Sequence, residues 1–393
     1  MSSTTEVGQT MAPNENRRAS RYVVPVAVAA VAAATIGLVP ALAASGDPDL
    51  PEITAQELVE KIAASDTQAL SGTFKISTDL GLPSFAGLTG GAGGSSSADP
   101  QERLTELFSG THTLRLAADG PDRQKVTLLD GSDEYSLIHD GDDVWAYDSK
   151  SNEAYHEKDG GPKDGGHETG GHKAGEKPEN LPSTPKELAD EILKAADGTT
   201  SITVGGTAKV AGRDAYQLVV KPKQSGSTVE SVKVAVDAAT GTPLKFTLSS
   251  TEGGKPVVDA GFTKIDFGKP AASAFAAPKG AKVTEGFPEG EDKGPQGLGD
   301  LTGLGDLSGT NVIGEGWTTI AKLDTGAPAP KDSEVPAEAK GFLDALGDKV
   351  TGKFGSGTVF KTKLVNALMT DDGKVYVGAV TQDALVDAAN AGR

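Results

Sequence analysis

The chain has 393 residues, enough for an export segment, two domains and linkers. Hydrophobic residues make up only 37% and glycine, at 51 residues, has nearly twice its usual share, so a modest core is diluted by glycine-rich stretches. The 37 basic and 55 acidic residues leave a net charge of −18, which argues against a nucleic-acid partner and disfavours adhesion to anionic lipid, while the lack of cysteine excludes disulfides, thiolate chemistry, cysteine-ligated metal and an acylated-cysteine anchor.

The first residues are polar and end in Arg17, Arg18 and Arg21. From Tyr22 to Ala44 the chain is almost wholly valine and alanine, without a charge, and Ala41-Leu-Ala43 supplies a small-residue cleavage site. Residues 1–44 therefore read either as a secretory signal cut between Ala43 and Ala44 or as an uncleaved helical membrane anchor. Either reading places the remainder outside the cytoplasm.

Residues 45–52 form a short acidic linker. Thr54-Ala-Gln-Glu57 is a capping box that opens a helix with Leu58 and Ile62 on one face. Leu70–Leu80 follows as a strand. Residues 81–100 are rich in glycine and serine, either an insertion without order or an apolar flap carrying Phe85 and Leu88. Gln101–Phe108 is expected as a short helix. Strands are then expected at Thr111–Ala117, Arg123–Leu129, Glu134–His139, Asp142–Asp148 and Asn152–Glu157, punctuated by Asp130-Gly131 and Asp140-Gly141, which are hairpin signals.

Residues 158–180 are hydrophilic, with His167 and His172 inside the stretch and His156 beside it. Their spacing matches no defined metal site. Thr184-Pro185 caps a second helix with Leu188, Ile192 and Leu193 as its apolar stripe. A strand over Ser201–Val210 leads into the most regular part of the chain. Between Gly212 and Phe267, Tyr216, Leu218 and Val220, then Val232, Val234 and Val236, then Leu244, Phe246 and Leu248 recur at period two. That is the pattern of an antiparallel meander with one face buried. Residues 286–311 read as a glycine-rich linker. The last segment, 312–393, is expected as a small α+β unit, with strands at Trp317–Leu323 and Lys374–Val380 and helices at Ala337–Leu346 and Gln382–Ala389.

The capped helix running into Thr73-Phe74, together with Val210-Ala-Gly-Arg-Asp-Ala-Tyr216, Val234-Ala-Val-Asp237, Thr240-Gly-Thr-Pro-Leu244 and Phe262-Thr-Lys-Ile-Asp-Phe267, resembles the LolA-like superfamily over residues 53–285. That superfamily comprises the LolA and LolB lipoprotein carriers, the LppX and LprG lipid carriers and the RseB/MucB regulators. The tail, with Gly314-Glu-Gly-Trp317, Gly357-Thr-Val-Phe360 and Leu368–Val380, is similar to the C-terminal part of actinobacterial RseB-like proteins. The resemblance implies an α+β fold, a half-open antiparallel β-barrel with helices on the concave face, plus the small C-terminal α+β domain. It implies an exported, non-enzymatic protein that binds a lipid acyl chain or a lipidated protein, or a regulator that contacts a single-pass membrane partner such as an anti-sigma factor. The chain lacks the acylated cysteine of LppX, LprG and LolB, and its two glycine-rich insertions are foreign to the family core.

The physical pattern points the same way. Two amphipathic helices cannot cover a long series of strands, so part of the apolar face is left as a groove. The expected lining residues are Phe74, Ile76, Leu116, Val126, Leu128, Leu137, Trp145, Tyr147, Leu218, Val234 and Phe246. No hydrolase, zinc-protease or phosphate-loop motif stands in a suitable context, and neither a cofactor nor a metal is expected.

Overall fold

The capping box forms as its residues imply. The Glu57 N–H donates to the Thr54 hydroxyl at 3.2 Å, and the Thr54 N–H donates to the Glu57 carboxylate at 2.8 Å. These bonds satisfy backbone donors at the start of α1 (Ala55–Ala63). Thr54→Ala is expected to cost about 1 kcal/mol, read as a lower urea midpoint at unchanged slope.

In this computed structural model the described residues are 47–81, 107, 110–158, 185–196, 198–287, 311–324 and 347–392. The expected export segment, the glycine-rich stretch after Gly81, the helix expected at Gln101–Phe108 (apart from Leu107), the histidine-bearing stretch, Thr184, residues 288–310 and the helix expected at Ala337–Leu346 lie outside them. The described residues from Pro48 onward belong to one unit.

After α1 come β1 (Ala69–Thr78), β2 (Gly110–Asp119), β3 (Arg123–Asp130), β4 (Asp133–Asp140), β5 (Asp143–Asp148) and β6 (Glu153–Lys158). Helix α2 (Pro185–Ala196) precedes β7 (Thr200–Val210), β8 (Arg213–Pro222), β9 (Val229–Asp237), β10 (Pro243–Ser250) and β11 (Val258–Asp266). A 3-10 turn, Ala272–Phe275, leads to β12 (Lys282–Glu285). The twelve strands make one open sheet in the order β12-β6-β5-β4-β3-β2-β1-β11-β10-β9-β8-β7. Strand β1 pairs with both β2 and β11, so it joins the two meanders side by side. All neighbours are antiparallel except β12, which lies parallel to β6. This is a half-open antiparallel barrel, as the resemblance implies. Strand β12 was not expected from the sequence.

The second sheet holds β13 (Asn311–Ile313), β14 (Ile320–Asp324), β15 (Gly347–Gly352), β16 (Gly355–Phe360), β17 (Asn366–Thr370) and β18 (Lys374–Gly378), in the order β13-β14-β18-β17-β16-β15. Helix α3 (Gln382–Ala391) packs on it, and Phe354, Val359, Leu368, Tyr376, Val380 and Leu385 form a shared core. The strand expected at Trp317–Leu323 starts later. Gly316–Thr318 is a 3-10 turn, because Trp317 bonds elsewhere. Its backbone N–H donates to Gln224 Oε1 at 3.0 Å and its indole N–H to the Thr200 hydroxyl at 2.7 Å.

Those bonds belong to a dock between the two sheets. The β8–β9 loop carries most of it. The Gln224 amide donates to the Glu315 carbonyl at 3.0 Å, the Thr228 N–H to the Ala379 carbonyl at 3.0 Å, and the Thr381 N–H to the Gly226 carbonyl at 2.8 Å. The Thr228 hydroxyl donates to the Leu364 carbonyl. At the end of β1, Lys363 pairs with Asp79 at 2.5 Å. The Lys363 ammonium, and then the Gly81 N–H, hold the Asp79 carboxyl below its ordinary range.

Candidate binding face

Cross-strand register decides which side chains share a face. One row runs Val204, Leu218, Val234, Phe246, Ala260, Ile76 across β7, β8, β9, β10, β11 and β1. The same face continues through Phe74 opposite Leu114, and through Leu116, Val126, Leu137 and Ala146 across β2 to β5. Paired residues in a sheet point to one side, so this is a single apolar face crossing most of the barrel.

It is covered at its two ends. At the β7–β9 end, Leu58 and Val59 of α1 and Ala189 of α2 pack on Tyr216, Leu218 and Val236, with Leu50 and Ile53 beside them. The approach to α1 is pinned there. The Tyr216 hydroxyl donates to the Pro51 carbonyl at 3.0 Å and the Thr207 hydroxyl to the Pro48 carbonyl at 2.8 Å. At the other end Leu114, Leu128, Tyr135 and Ala146 are buried, with Leu107 and Phe287 packed against them. Val126 on β3 and, between the two covered ends, Phe246 on β10 each remain 38% exposed. Phe74 and Phe262 meet edge to face there, with ring centroids 5.1 Å apart.

Nine of the eleven expected lining residues share this face. Leu218 and Leu128 are buried in its two clusters. Val234, Phe74, Ile76, Leu116 and Leu137 are half-buried beside them, and Val126 and Phe246 face outward. Trp145 and Tyr147 do not share it. Trp145 pairs with Ile138 and Tyr147 with Ser136, so both stand on the opposite face, and Val144, Ala146 and Asp148 of β5 point to the apolar side. Trp145 stacks on His156 at 3.9 Å. The His156 ring nitrogens meet Asp143 at 2.7 Å and Glu285 at 3.0 Å. That arrangement ties β12 to the sheet. The two carboxylates lie at opposite nitrogens of the ring, and among the described residues no group of three His, Asp or Glu side chains is placed to hold a metal.

The opposite face is not wholly polar. Val210, Ala215, Ala235 and Leu244 form a buried cluster on it. The period-two pattern assigns Leu244 to the other face. A register shift between Pro243 and Lys245 breaks the alternation at that residue.

The topology defines a class: an open antiparallel half-barrel with two helices on one end of its apolar face and a second, smaller sheet docked to it. No family model matches the sequence, and no curated protein matches it. Similar solved structures include MucB in its complex with MucA from Pseudomonas aeruginosa. That match has 16% identity and a TM-score of 0.38, and covers 85% of this chain and 96% of MucB. A LolA superfamily protein from Nitrosomonas europaea matches at 10% identity and a TM-score of 0.20, over 57% of this chain and 99% of its own. A putative outer membrane lipoprotein-sorting protein domain from Vibrio parahaemolyticus matches at 14% identity and a TM-score of 0.19, over 54% and 91%.

Proposed function

We propose that this chain is an extracytoplasmic, non-enzymatic binding protein that holds an acyl chain, of a lipid or of a lipidated protein, on the apolar face of its half-barrel. The observation that carries this reading is the apolar face that crosses the sheet from β7 to β5, covered by helices at its β7–β9 end and 38% exposed at Phe246 and Val126. Binding there is driven by removing apolar surface from water, about 0.8 kcal/mol per methylene. Affinity for the full exported chain should therefore tighten about fourfold with each added CH₂ of a fatty-acid series. Phe246→Glu places a charge in the exposed gap at little cost to the fold, and should weaken uptake of a fluorescent fatty acid at least about tenfold. Native mass spectrometry of protein from the exporting host should show bound lipid. Ligand-free protein that takes up no labelled fatty acid, or affinity that ignores chain length, would sink the reading.

The second sheet supports another reading, a regulator that binds a single-pass membrane partner, as MucB is seen to bind MucA. Its support here is the dock through the β8–β9 loop, which makes the second sheet part of the same body. Capture of a membrane protein that requires residues 311–392 would favour it. Capture unaffected by their deletion would remove its support.

A further inference from the structure

On the face opposite the helices, Lys245, Gly261 and Lys75 occupy one cross-strand row on β10, β11 and β1. The lysines stand two strand spacings apart, about 10 Å between backbones, with no side chain between them. The gap is a cleft of about 250 Å³ bounded by Lys75, Ser77, Thr111, Lys245, Asp259 and Thr263, among others. Gly261 is its floor. A Cβ at that position would come within 2.9 Å of Lys245 Cγ, so a larger residue would displace the lysine and fill the cleft. Asp259 accepts from the Lys245 ammonium at 2.9 Å, which fixes the cation at the rim and leaves it further N–H donors. Ser77 and Thr111, hydrogen-bonded to each other at 3.0 Å, add hydroxyls on the Lys75 side.

The surroundings strengthen the field. Lys233 lies one row away on β9, and Lys264 and Arg115 share the row of Thr73, all three exposed on this face. Against them stand Asp259, already paired with Lys245, Glu134, paired with Arg115 at 2.6 Å, and Asp266. In a chain of net charge −18 this is a local excess of positive charge around a hydroxyl-lined hollow.

We infer that this cleft is a site for a phosphate-class oxyanion, with Lys75 and Lys245 as the charge donors and the Ser77–Thr111 hydroxyl pair, which keeps one hydrogen free after its mutual bond, as the neutral donor. The hollow is too small for an extended polyanion and suits one tetrahedral group, free or at the head of a lipid. The site lies across the sheet from the apolar face and does not depend on what that face binds.

The test titrates inorganic phosphate into the full exported chain at low ionic strength, followed by calorimetry. In parallel, vesicles of phosphatidylcholine with and without phosphatidylglycerol are sedimented with the protein. Saturable phosphate binding that falls at least about tenfold in both Lys75→Ala and Lys245→Ala, and not in Lys194→Ala on α2, is the expected result. If phosphatidylglycerol vesicles are also bound and the same two variants release them, the anion is a lipid headgroup. If only inorganic phosphate binds, it is a free oxyanion. Both lysines are at least partly solvent-exposed, and unchanged melting curves will show that the variants are folded. Absence of saturable binding of either probe, or binding equal in wild type and in both lysine variants, overturns the proposal.

Discussion

Asp237→Ala is expected to lower the free energy of unfolding by about 2–4 kcal/mol, because it removes a buried carboxylate that accepts five hydrogen bonds. The Asp237 side chain is 1% exposed. It accepts from Arg213 Nε at 2.7 Å and Nη2 at 3.0 Å, from the N–H groups of Ala239 and Thr240 at 3.0 and 2.8 Å, and from the Thr240 hydroxyl at 3.0 Å. Burial alone would push its carboxyl up. The Arg213 guanidinium and the Thr240 donors outweigh that and hold it below its ordinary value. The turn it ties off carries Gly241, at φ 76°, where a Cβ would lie 2.3 Å from the Lys61 carbonyl oxygen. Thr242, next in the chain, bonds Thr67 just beyond α1 at 2.8 Å. Loss of the carboxylate therefore loosens the helix that covers Leu218 as well as the turn. Urea unfolding measures the effect, and a loss under about 1 kcal/mol would show that the turn is held by other groups. The pH dependence has a definite sign. The folded pKa lies below the unfolded one, so the contribution is complete above the unfolded value, about 4, and disappears as pH falls through the lower folded value. The gap between wild type and variant should narrow in that acid window.

Phe275→Ala is expected to cost about 3–5 kcal/mol. After β11 the chain leaves the ladder and its 3-10 turn packs on β3 and β4. Phe275 is 1% exposed there. Thr127, Ser136 and Ile138, which point away from the apolar face, are buried, and the Thr127 and Ser136 hydroxyls bond each other at 3.0 Å. Phe275 is the large side chain in the strap that covers them. The strap then delivers β12 to its place, where the Asn152 amide donates to the Gly280 carbonyl at 3.0 Å and the Lys282 N–H to the Asn152 carbonyl at 2.9 Å. Hydrogen exchange should therefore accelerate in β12 and β6 before it does in β8 and β9. A uniform rise across the sheet, or a cost under about 1.5 kcal/mol, would contradict this role for the strap.

Much of the fold was legible because the relevant signals are local. Thr54 and Glu57 sit three residues apart, Asp130-Gly131 and Asp140-Gly141 mark their turns, and Leu218, Val234 and Phe246 alternate within their own strands. What was hidden depends on register. In Asp143-Val-Trp-Ala-Tyr-Asp148 both parities carry apolar residues, and only the pairing of Leu137 with Ala146 decides that Trp145 faces away. The larger rings suggest the wrong side. Leu244 misleads for a related reason, since one shift in register moves it across the sheet. Strand β12 pairs with β6 across more than a hundred residues of chain, and its four residues are all exposed, so nothing in Lys282–Glu285 marks a strand. Trp317 looks like the start of a strand until Gln224 and Thr200 claim its two N–H groups.

An open sheet has a cost that a closed barrel avoids. Its outermost strands present unpaired amides, a template on which a second copy could add. Both outer strands here are poor templates. Strand β7 breaks register between Val204 and Thr207, where Gly205 and Gly206 interrupt the run. Strand β12 is four residues long, carries Lys282 and Glu285, and runs parallel to its neighbour. The apolar face can thus stay accessible without a continuous flat edge on which fibrils or strand-swapped pairs could grow. The break is built into the strand, since Gly206 sits at φ 116°, where a β-branched residue is strained, and a Cβ on Gly205 would lie 2.5 Å from Val219 Cγ2.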